Sequence, residues 1–187
     1  SRILCQGAML LIKYSEVVGL PVISAGSGKK AGIVKDVVFC PGTREIKAFI
    51  VERRSFEVNQ KLVFLEDVLN VGKDAIIINS PEDFKSMKRL EKNGDLKDRG
   101  EVLGLKVYSV YGEELGIVKD ILFDCDSGLI EGIEISDGLI QDMVKGRNII
   151  PLFGKVEFGE DNILVGKEAL EEMMSTGGGL KKRFLEE

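Results

Sequence analysis

The sequence has no histidine and no tryptophan, and only three cysteines, three tyrosines and four prolines in 187 residues. The missing imidazole removes Ser-His-Asp and Cys-His nucleophile pairs and every histidine-containing zinc site. Cys5, Cys40 and Cys125 are odd in number, widely separated and without a CxxC spacing. They cannot furnish four thiolates to one zinc, and they argue for reduced thiols in a cytoplasm rather than a disulfide framework. Long apolar runs are missing as well. The stretches Ile46–Val51 and Ala75–Ile78 have charges nearby and fall far short of the roughly 18 residues that read as a membrane span. Arg2 is followed by too short an apolar run for a secretory signal. Ser1–Ala8 read poorly as structure, and Met9 reads as a start with a leader or an unrelated scar ahead of it.

What is present is an ordinary globular composition, 44% apolar and 30% charged, with an uneven charge. Residues 1–79 hold 11 basic against 8 acidic residues, leaving +3. Residues 80–103 balance at 6 and 6, and residues 104–187 hold 9 against 17, leaving −8. Opposite signs favour docking of the halves on each other, or different partners for each, unless two old copies simply drifted.

Two copies are indeed visible. Gly32-Ile33-Val34-Lys35-Asp36-Val37-Val38-Phe39 returns as Gly116-Ile117-Val118-Lys119-Asp120-Ile121-Leu122-Phe123, 84 positions later. Gly19–Ser24 matches Gly104–Ser109, and Leu62–Ile78 matches Ile149–Val165. The offset changes only inside loops, as two copies of one fold require.

In the first copy, Ser15–Gly19 reads as a helical turn with Ser15 as cap and Gly19 as stop. Short strands at Leu20–Ser24, Gly32–Phe39, Ile46–Val51, Lys61–Phe64 and Ala75–Ile78 alternate with Gly-rich turns. Ser80 as N-cap, Pro81 behind it and the stripe Phe84, Met87, Leu90 predict a helix ending at Asn93-Gly94. The outcome is a mainly β chain: two tandem small antiparallel β-barrels, each followed by a short helix. The domains are 9–80 and 96–175, with a linker helix at 81–95 and a flexible tail at 176–187 that is disordered or binds a partner. Ile50 stands where the second copy has Glu134, which predicts that an outer face of the first barrel is covered by the linker helix or the other barrel.

These same segments resemble the PRC-barrel domain, named after the cytoplasmic part of the photosynthetic reaction centre H subunit. The resemblance rests on the Gly-Ile-Val-Lys-Asp-aliphatic-aliphatic-Phe strand, the Leu65-containing Leu-Val-Phe-Leu segment with its counterpart Ile-Ile-Pro-Leu, and the Gly-x-Asp-x-Ile hairpin. It covers about residues 9–80 and 96–170. It implies kinship with small bacterial PRC-barrel proteins, some associated with sporulation, and with the C-terminal domain of the ribosome maturation factor RimM, which docks on a ribosomal protein. It implies no catalytic residue, cofactor or metal.

The remaining polar signals are weighed on their chemistry. Gly26-Ser27-Gly28-Lys29-Lys30 departs from a phosphate loop at Ile23 and Lys30, and the second copy has Tyr111-Gly112-Glu113-Glu114 there. Asp124-Cys125-Asp126 opens like a calcium loop but lacks the glycine and glutamate at loop positions 6 and 12. Asp36 and Asp120, kept between aliphatic neighbours in both copies, read as structural carboxylates at a strand bend rather than general bases. Lys29, Lys30, Arg53 and Arg54 are the candidate interaction residues, in a first copy that also carries Arg44 and Lys47. Few aromatics argue against stacking on single strands. The sequence therefore predicts a cytoplasmic, non-catalytic protein-interaction module with a protein partner or a homo-oligomeric habit. The alternative is an accessory factor touching the ribosome or RNA.

Overall fold

The computed structural model of the protein describes residues 10–53, 60–92, 102–136, 148–152 and 154–175, with the backbone alone at 91, 92, 148, 174 and 175. The expected tail at 176–187, the leader, and the helix stop at Asn93-Gly94 lie outside the described residues. The chain divides into two compact units, Ser1–Arg99 with Asp124–Leu129, and Gly100–Phe123 with Ile130–Glu187.

The first unit opens with β1 (Leu11–Lys13) and the single turn α1 (Tyr14–Val17). Lys13, rather than Ser15, takes the N-cap place, and its N–H donates to Glu16 Oε2 at 3.1 Å. The sheet comprises β2 (Pro21–Ser24), β3 (Lys30–Cys40), β4 (Glu45–Glu52), β5 (Gln60–Phe64), β6 (Val68–Val71), β7 (Ile76–Ile78) and β8 (Lys85–Ser86), in the order β6-β7-β2-β3-β4-β5-β8. A short helix α2 (Lys88–Lys92) follows. In the second unit β9 (Lys106–Ser109), β10 (Glu114–Asp124), β11 (Ile130–Ile135), β12 (Asn148–Pro151), β13 (Val156–Phe158) and β14 (Asn162–Val165) run in the order β12-β11-β10-β9-β14-β13, and α3 (Lys167–Ser175) closes the chain. Both sheets curl into half-barrels.

Apart from β8, which has no counterpart, the two orders are the same strand for strand. Along these orders every neighbour pair is antiparallel except one in each unit, β2 with β7 and β9 with β14. Three of the irregularities repeat too, whereas the slip between Val68 and Asn70 on β6 has no counterpart on β13. Register slips between Val22 and Ile23 against β3, and between Glu114 and Gly116 against β9, leave Ala31 and Leu115 as extra residues. Lys35 and Lys119 are extra on β3 and β10, while Lys47 and Glu131 are extra on β4 and β11. Two bulges on each long strand and one on its neighbour sit at equivalent places, and such bends are how a narrow sheet curls without strain spread along it.

The octapeptide repeated in sequence is this bulged strand. Its glycine is fixed by close approach: a Cβ on Gly32 would lie 2.5 Å from Val51 Cγ1 and 2.7 Å from the Glu52 carbonyl oxygen, and one on Gly116 would lie 2.6 Å from that of Ser136. The next aliphatic pair splits, with Val34 and Val118 buried and Ile33 and Ile117 on the opposite face. Lysine occupies the bulge and points to water. Phe39 and Phe123 are buried, as are Phe49 and Ile133 on the neighbouring strands. Each fully buried Ile, Val or Phe of these cores contributes about 1.5–3 kcal/mol relative to exposure.

The segment expected as one linker helix is broken into three pieces. Ser80 does cap a turn, its Oγ accepting from Glu82 N–H at 3.2 Å, but that turn is the 3-10 helix Pro81–Asp83. The chain then extends as β8, which pairs with β5 through Lys61–Ser86 and Leu62–Lys85, before α2 forms. The edge of β5 offers unpaired backbone groups, and pairing there satisfies more of them than continuing the helix. Met87 and Leu90 nevertheless reach the predicted target. Leu90, 4% exposed, joins Val38, Cys40, Ala48 and Leu62, with Ile50, Phe64 and Met87 packed against them. In the second unit α3 packs on β12, the counterpart of β5, through buried Ala169 and Met173 one helical turn apart.

Candidate functional site

Asp36 and Asp120 each stand immediately after a bulge. Asp36 Oδ1 accepts from Val37 N–H at 2.8 Å, and Asp120 Oδ1 from Ile121 N–H at 2.9 Å. A bulge can leave a backbone amide off the ladder, and a carboxylate beside it is a local acceptor. Their surroundings differ. Asp36 is exposed and also accepts from Tyr14 Oη at 3.0 Å, whereas Asp120 is 7% exposed and lies across from Glu134. Facing Asp36 instead is Ile50.

The candidate cations are partly gathered. Lys30 opens β3 and Arg53 follows the end of β4, so the antiparallel ladder sets both at one end of the sheet, next to Lys29 in the β2–β3 hairpin. Arg53 already has a neighbour, since its guanidinium lies 5.5 Å from the Phe84 ring centroid. Lys35 pairs with Glu52 at 2.6 Å, and Lys47 with Glu45. The latter bond holds the Glu45 carboxyl below its ordinary value. Arg54 lies outside the described residues.

The acidic turn is built from local bonds. Asp124 Oδ1 accepts from Asp126 N–H at 2.6 Å and from Ser127 N–H at 3.2 Å, as an Asx turn does. Among the described residues no group of three or more Cys, Asp and Glu is arranged to hold a metal ion. Cys125 is buried, and burial with Asp124 and Asp126 beside it pushes its thiol from 9.0 up to about 12. A thiol so shifted is protonated and a poor nucleophile at neutral pH.

A surface that the sequence reading did not single out stands on β3-β2-β7 and, equivalently, on β10-β9-β14. Val22 and Ile76 point into the core, so Pro21, Ile23, Ile33 and Ile77 share the opposite face. Pro21 lies across from Ile33 and Ile23 across from Ile77, which makes the four contiguous. In the second unit the same register gives Lys106 beside Ile117, and Tyr108 beside Leu164. Ile117 is 40% and Leu164 39% exposed, and Val110 and Tyr111 at the adjoining hairpin are 45% and 66% exposed. The strand alternation was legible in the sequence. Which residues shared a face was not, because each bulge inverts the alternation beyond it.

Comparison with known proteins agrees with this architecture. The PRC-barrel domain matches residues 9–85 and 95–167. An uncharacterized protein of Bacillus subtilis (strain 168), YrrD, is 24% identical over 151 residues, covering 80% of this chain and 84% of its own. Two matches that together span most of the chain, on two units of one strand order, place it in a family: the protein belongs to the PRC-barrel domain family, with two such domains in tandem.

Proposed function

We propose that the chain is a non-catalytic, cytoplasmic protein-interaction module whose contact surfaces are two apolar outer faces, β3-β2-β7 in the first unit and β10-β9-β14 in the second. The observation that carries this reading is the exposure of Ile117 and Leu164 on the β10-β9-β14 face of the second unit, with Val110 and Tyr111 exposed at the adjoining hairpin. Apolar side chains grouped on neighbouring strands and rimmed by charge are what protein interfaces present before they close. The protonated Cys125 thiol and the local bonding of Asp36 and Asp124 favour structure over chemistry at the other polar positions. No helix among the described residues is long and apolar enough to cross a membrane. A ribosome- or RNA-linked role finds no specific observation in its favour, since Arg53 is seated on Phe84 and Lys35 and Lys47 are paired with acids.

Quantitative capture from lysate tests it, comparing the wild-type chain with Ile117→Ser plus Leu164→Ser. Loss of two central apolar contacts lowers bound partner by about tenfold or more, while stability in urea falls by no more than partly exposed strand positions cost, about 1 kcal/mol each. Undiminished capture by the variant rejects this face as the contact surface.

A further inference from the structure

The two outer faces carry opposite charge at equivalent positions. The N–H of Ser24 donates to the Lys29 carbonyl as that of Ser109 does to Glu113, so Lys29 corresponds to Glu113. Lys30 lies across from Ile23 as Glu114 lies across from Tyr108. Gly72 N–H donates to the Ala75 carbonyl as Gly159 N–H does to Asn162, which matches Lys73 with Glu160. Asn70, beside Ile77, corresponds to Glu157, beside Leu164. Three lysines in one unit therefore stand where the other has three glutamates, with a fourth acid added. Asp74 and Asp161 are common to both, and Lys106 in the second face is held by Glu114 at 3.4 Å.

The placement of these charges decides what they fit. Because β2 and β7 run parallel, the β2–β3 hairpin and the β6–β7 turn lie at opposite ends of the face. Lys29 and Lys30 thus flank the apolar centre at one end and Lys73 at the other, and Glu113, Glu114 and Glu160 do the same in the second unit. Two such faces match in charge whichever way one is laid along the other.

We propose that the occupant of each face is a second copy of this chain, the lysine-flanked face of the first unit docking on the glutamate-flanked face of the second unit of another copy. This rests on the interaction-module reading and names its partner. Burial of the apolar centres supplies affinity, and the flanking charges select unlike faces over like ones.

Sedimentation of the full chain, with charge-reversal variants, tests it. Lys29→Glu plus Lys73→Glu makes both faces acidic, and Glu113→Lys plus Glu160→Lys cancels the negative charge of the second face, leaving Lys106 and two new lysines against Glu114, Glu157 and Asp161. All four side chains are exposed, so the fold is kept. The wild type is expected to sediment above the mass of one 20.6 kDa chain. Each variant alone is expected to associate about tenfold more weakly or worse, and an equimolar mixture of the two to recover association. A wild-type chain that stays monomeric, variants that associate as well as the wild type, or a mixture that fails to recover overturns the pairing. None of these results bears on lysate capture by Ile117 and Leu164, so the broader reading stands or falls separately.

Discussion

At the scale of single residues, the repeated octapeptide is a set of backbone requirements. Glycine is there for closeness: at Gly32 the carbonyl of Glu52 and the side chain of Val51 leave no room for a Cβ. Gly32→Ala is expected to cost about 1–3 kcal/mol, the usual penalty of forcing atoms into a packed site. Gly42→Ala, where a Cβ meets nothing within 4 Å, is expected to fall within about 0.5 kcal/mol of wild type. Urea denaturation of both variants checks the contrast, and equal losses would remove close approach as the reason. The aspartate of the same motif reads as structural from its repetition, and in each copy it accepts from the next residue, Val37 or Ile121 N–H. Its difference in exposure between copies was not legible. Burial of Asp120 but not Asp36 depends on neighbours brought in from elsewhere in the fold.

At the scale of elements, the strands were easy to read and their irregularities were not. A run such as Ile46–Val51 announces a strand by its β-branched and aromatic residues, and β4 spans Glu45–Glu52. Nothing in Lys35 or Lys47 announces a bulge, because a bulge is a property of two strands together. The linker shows the opposite failure. Phe84, Met87 and Leu90, three apart, fit a helix face, yet the open edge of β5 captured Lys85–Ser86 first. Of the stripe, Met87 and Leu90 pack in the cluster that holds Ile50, so the linker is one of the two coverings the sequence left open for that face. Leu90→Ala should therefore destabilise the protein by about 2–5 kcal/mol, as removal of a buried leucine from a packed cluster does. Thermal or urea unfolding measures it, and a loss below about 1 kcal/mol would mean that α2 merely rests on the sheet.

At the scale of the whole molecule, one sheet blueprint is used twice with its outer charge reversed. The duplication and the asymmetry of +3 against −8 were both legible in the sequence. Which charges border the apolar faces became legible only with the register, since Lys29 and Glu113 correspond through a hydrogen bond. The net charge of −5 makes copies repel weakly at long range. Beyond roughly 8–10 Å that repulsion is screened at physiological salt, and face-to-face pairs act inside that distance. The most direct measurement is the dependence of backbone amide chemical shifts on the concentration of the full chain. Raising the concentration is predicted to move the resonances of Ile23, Ile33 and Ile77 together with those of Tyr108, Ile117 and Leu164, leaving Ala169 and Met173 of α3 in place. Shifts that ignore concentration, or that gather on α3 and β12 instead, would contradict the account.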